Sequence, residues 1–79
     1  MKTGMAAIRA NAIHRAVETE KERIITLFAS NPSGRYRAVT KVARTILLNG
    51  PYLLNGRRWE VKANSLGVGV YELYVELQK

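Results

Sequence analysis

The hydrophobic period of this chain changes once, and the change falls on a signal that ends any helix: Asn49-Gly50-Pro51. Ahead of it, apolar residues recur at three- and four-residue spacing, the period of a helix with one buried face. Beyond it they alternate, the period of a strand with one buried face. Proline has no N–H to continue a helical ladder, and Asn-Gly favours a helix C-terminus. The spacing therefore predicts an α+β fold with its helices first: an N-terminal helical segment, a basic second helix, then a three-stranded antiparallel β-meander. At 79 residues the chain has room for one small basic domain, 1–79, with a thin core.

Within 3–29, Ala6, Ala10, Ile13, Val17, Ile24, Leu27 and Phe28 form one stripe, interrupted by Glu20. One helix over this length spans roughly 40 Å, more than a domain of this size is wide. It would need a partner, most simply a second copy packed on Ala6, Ala10, Ile13, Val17 and Ile24 as a homodimer. The alternative is a break near Glu18, with Thr19 capping a new helix and Glu22 reaching back. The break is slightly preferred, because it keeps Glu20 out of a buried seam. Ser30-Asn31-Pro32-Ser33-Gly34 then forms a turn, and helical propensity resumes over 35–48.

After Pro51, Asn55-Gly56 is a strong two-residue hairpin signal, since both positions favour positive φ. Trp59, Val61 and Ala63 alternate with Arg58, Glu60 and Lys62. A second turn over 65–69 leads to a strand whose Tyr71, Leu73, Val75 and Leu77 share a face. Gly67-Val68-Gly69 has no helix after it and reads as a strand turn rather than a phosphate loop. Trp59 reads as core, and Tyr74, between Glu72 and Glu76, as a protein contact or nothing.

Charge is most informative when it is placed. Thirteen Lys or Arg stand against six Glu, and residues 35–62 hold seven of the cations and a single Glu. On a helix over 35–48, Arg37, Lys41 and Arg44 share a face opposite Val39, Val42, Ala43 and Ile46. No acidic residue lies between Gly34 and Glu60 to neutralise them. On the sheet, Arg58 and Lys62 are expected to face Glu72 and Glu76 across a simple register, leaving Arg35, Arg37, Lys41, Arg44 and Arg57 for a partner. Tyr36 stands ready to stack on a base or to pack on the sheet.

These features favour a nucleic-acid-binding module, DNA or RNA, that contacts phosphates through the 35–48 helix. The candidate contact residues are Arg35, Tyr36, Arg37, Lys41, Arg44 and Arg57. With a break near Thr19, three helices precede the hairpin, an order that loosely resembles winged-helix DNA-binding domains; a strand before the hairpin departs from it, and no residue motif carries the likeness. The alternative is a protein-binding inhibitor or adaptor, of the kind phages and mobile elements encode, docking its basic helix on an acidic host protein. His14 stands without a carboxylate or cysteine cluster, so no metal or cofactor is expected. Scattered glutamates supply neither a catalytic pair nor an activated nucleophile, so an enzyme is not expected. The absence of cysteine, of a signal-peptide core and of an apolar run of about 20 residues points to a bacterial or host-cell cytoplasm.

Overall fold

A computed structural model describes the backbone over residues 4–78 and side chains from residue 12 onward. The architecture is α+β, with helices α1 (Gly4–Ser30) and α2 (Thr40–Asn49) laid on one face of an antiparallel sheet. The strands are β1 (Tyr36–Val39), β2 (Tyr52–Leu54), β3 (Arg57–Gly67) and β4 (Val70–Leu77), in the order β1-β4-β3-β2. The meander β2-β3-β4 is as the alternation requires; β1 is a fourth strand that the periodicity did not announce.

The helical segment is one helix, not two. Between Gly4 and Ser30 there is neither proline nor glycine to break it. Across the expected break, Lys21 pairs with Glu18 at 2.7 Å and Arg23 pairs with Glu20, each three residues apart on the helix surface. The Glu20 side chain retains 39% of its exposure, so no glutamate is buried and nothing favours a break. With one helix ahead of residue 31, the three-helix order behind the winged-helix likeness is absent.

The second correction concerns 35–48. Tyr36–Val39 is strand, and helix begins only at Thr40. Tyr36, Arg37, Ala38 and Val39 lie opposite Leu73, Glu72, Tyr71 and Val70 of β4. A cross-strand ladder satisfies this backbone, and it places Ala38 in the core, which outweighs the helical preference of an Arg- and Ala-containing segment. α2 then buries Val42, Ala43 and Ile46. Its last carbonyls are taken by side chains: Asn49 Nδ2 donates to Thr45 O at 2.9 Å and the Tyr52 hydroxyl to Ile46 O at 2.7 Å.

Ile24 and Phe28 of α1 meet Val42, Ala43 and Ile46 of α2 over Ala38, Leu54, Val61, Leu73 and Val75 of the sheet. Trp59 lies against this core and donates Nε1–H to Leu54 O at 3.3 Å. Asn55 and Gly56 take φ of 53° and 77°, the left-handed pair that a two-residue hairpin demands. Asn55 Nδ2 also donates to Ala29 O at 2.6 Å, pinning the end of α1 to this turn. α1 thus ends at the β2–β3 turn, while Ile13 and Val17 lie beside β1 and the start of α2.

The expected charge pairing on the outer sheet face does not form. The register sets Glu60 opposite Glu76 and Lys62 opposite Tyr74. Lys62 approaches Glu60 on its own strand at 3.5 Å, and Arg58 lies opposite Leu53.

Candidate nucleic-acid interface

The six residues singled out from the sequence separate into three groups. Arg35 is neutralised: its Nη1 donates to Glu72 Oε1 at 3.2 Å, and its guanidinium lies 4.7 Å from the Tyr74 ring centroid. That stack also occupies the face of Tyr74. Tyr36 packs inward, edge-on to Phe28 with ring centroids 4.9 Å apart, so it is not a platform for a base. Arg57 stands at the β2–β3 turn, ten residues of β3 away from the Gly67 end where α2 begins, about 30 Å along the strand. It does not join the others.

The shared helix face expected for Arg37, Lys41 and Arg44 does not form, because the helix begins only at Thr40: Arg37 lies on β1 opposite Glu72, Lys41 lines a groove with Arg37, and Arg44 follows one turn on along α2. All three are exposed, and among the described residues none has an ion-pair partner. The carboxylates of α1 do not neutralise them. Glu18 is held by Lys21, whose hydrogen bond and charge keep the Glu18 carboxyl below its ordinary value and raise the Lys21 ammonium. Glu20 is likewise kept low by its hydrogen bond to Arg23. Local pairing within α1 thus leaves the cations of the next segment bare. The start of α2 adds to the positive field: its N-cap Val39 makes no side-chain capping bond, and no acidic residue occupies the first turn.

A feature the sequence did not disclose adjoins these cations. Ile13, Ala16, Val17 and Glu20 of α1 face Arg37 and Val39 of β1 across a groove of about 480 Å³. It continues past Lys41 into a second hollow of about 400 Å³ that His14 and Thr45 also line. The apolar stripe of α1 announced an unfilled face, but its neighbour is visible only once 36–39 is known to be an edge strand. No cluster of His or acidic residues among the described residues could hold a metal ion. The homodimer seam also changes: Ile24 is fully buried in its own core and is not available to a second copy, whereas Ile13 is 51% exposed. Ala6 and Ala10 lie outside the described side chains. No described helix is long and apolar enough to cross a membrane.

Comparison with protein-family models, curated proteins and solved structures yields no match for this chain.

Proposed function

We propose that this protein is a small cytoplasmic accessory module that binds nucleic acid through its phosphate backbone, using Arg37, Lys41 and Arg44. The reading rests on one observation: three exposed cations within residues 37–44, without an ion-pair partner among the described residues, while Glu18 and Glu20 are already engaged by Lys21 and Arg23. Such cations release condensed counterions when they meet a polyanion, which gives affinity without sequence preference. Arginine forks add bidentate phosphate contacts. The role is one of holding, not of chemistry. Arg35 and Tyr36 drop out because Glu72 and Phe28 occupy them, and Arg57 contributes at most a separate contact.

A second reading, an adaptor that docks on an acidic protein surface, draws on the apolar groove beside the same cations. Binding of duplex and single-stranded oligonucleotides across a salt series separates the two. Nucleic-acid binding gives a log–log slope that flattens by about one unit for each of Arg37, Lys41 and Arg44 replaced by alanine. Reversal of all three to glutamate abolishes it, whereas Arg57→Ala leaves most of the affinity. No binding at about 50 mM salt, where backbone contacts are strong, overturns the proposal.

A further inference from the structure

β1 is an edge strand: it pairs with β4 on one side, and among the described residues no strand lies on the other. The phase of its ladder follows from one bond. Thr40 N–H donates to Gly69 O at 3.1 Å, continuing the register in which Ala38 and Tyr36 face Tyr71 and Leu73. In an antiparallel ladder, hydrogen-bonded and non-bonded pairs alternate. Residues 36 and 38 therefore spend their backbone groups on β4, Thr40 spends its N–H on Gly69, and Arg37 and Val39 direct theirs to the open edge. Val39 is the N-cap of α2, so its carbonyl serves the helix. Three groups remain outward: the N–H and C=O of Arg37 and the N–H of Val39.

The open edge faces the groove under α1. Arg37, Ala38 and Val39 make one wall, and Ile13, Ala16 and Val17 make the other. An extended segment laid along β1 would place alternate side chains toward this apolar wall and the others beside Arg37. Lys41 stands at the end of the track, and Glu20, the one carboxylate among the described lining residues, is engaged by Arg23. The charge favours an acidic occupant and opposes a second copy, whose own Arg37 and Lys41 would meet these like for like. The other edge of the sheet, β2, is only three residues long and is entered through Pro51, a common way of blunting an edge.

We infer that the β1 edge and the overhanging half of α1 form a groove that takes an extended acidic segment of a partner protein as a fifth strand. The mode is strand addition: main-chain bonds hold the segment, and alternating acidic and apolar side chains select it. This goes beyond phosphate binding and stands or falls separately from it.

The probe is a blocked heptapeptide alternating glutamate and valine, with a lysine-for-glutamate version as control. Binding is read by fluorescence anisotropy and by amide exchange at Arg37 and Val39. The acidic peptide is expected to bind at least about tenfold tighter than the basic one and to protect both amides. Val39→Pro is the decisive variant. Val39 already has φ of −68°, which proline adopts without strain, and its N–H is one of the outward donors. V39P is expected to keep the thermal midpoint and the oligonucleotide salt slope while losing peptide affinity about tenfold or more. Unchanged peptide affinity in V39P overturns the proposal, as does equal binding of the two peptides. Protection of the Arg37 and Val39 amides in the protein alone, rising with its concentration, overturns it in favour of a second copy.

Discussion

The two halves of α1 are one continuous helix with opposite fates. Its second half drives Ile24 and Phe28 into a fully buried core beneath α2 and the sheet. In its first half, the described side chains from Ala12 to Ala16 are all exposed, and Val17 is only partly covered. Helices of fewer than about 12–15 residues are marginal in water without tertiary contacts, so the second half holds the first in register. A helix anchored at one end gives a small domain a rigid wall beyond its own core. That wall is what turns the edge of β1 into a groove.

Four substitutions test this contrast. Phe28→Ala leaves a cavity between α1, Tyr36 and the sheet and is expected to cost about 3–5 kcal/mol. In a domain this small that is most of the folding free energy, read as loss of a cooperative denaturant transition. Tyr52→Phe removes the hydroxyl bond to Ile46 O and is expected to cost about 1 kcal/mol. Burial raises the Tyr52 phenol above its ordinary 10.0, so its contribution is present below that pH and is lost as pH rises through the folded-state value. The variant should therefore also flatten the alkaline limb of a stability profile. Glu18→Gln with Glu20→Gln acts at the other limb. Both carboxyls lie below their ordinary 4.5, so their contribution is present above that pH and disappears as pH falls through the folded-state values. The double variant should show a shallower decline of thermal midpoint in acid, with a small effect at neutral pH because both pairs lie on the helix surface and remain partly exposed to solvent. Ile13→Ser is expected to shift stability by less than about 0.5 kcal/mol. A loss comparable to that at Phe28 would mean that the overhanging half is covered in solution, and the contrast would fail.

Much of the fold could be read from residue order. The Asn55-Gly56 turn, the alternation of Trp59 to Ala63 and of Tyr71 to Val75, and the buried face of Val42, Ala43 and Ile46 stand where local pattern puts them, whereas Val39 and Leu77, expected on those apolar faces, are exposed. These are short-range preferences that each segment states by itself. The candidate site was less legible. Three of six expected contact residues remain exposed and without an ion pair among the described residues, and the others were lost to tertiary packing: Arg35 to Glu72, Tyr36 to Phe28, and Arg57 to the far end of β3.

Local chemistry was enough to specify an α+β domain, the place where helix gives way to sheet, and a cationic middle segment. It could not specify that 36–39 pairs with the last strand, that Glu60 faces Glu76, or that α1 passes unbroken over Glu20. Strand pairing joins backbones some thirty residues apart, and its register is set by what the core accepts rather than by the strand's own residues. Which cations stay bare is a consequence of that register. The charge belongs to the sequence, and its availability belongs to the packing.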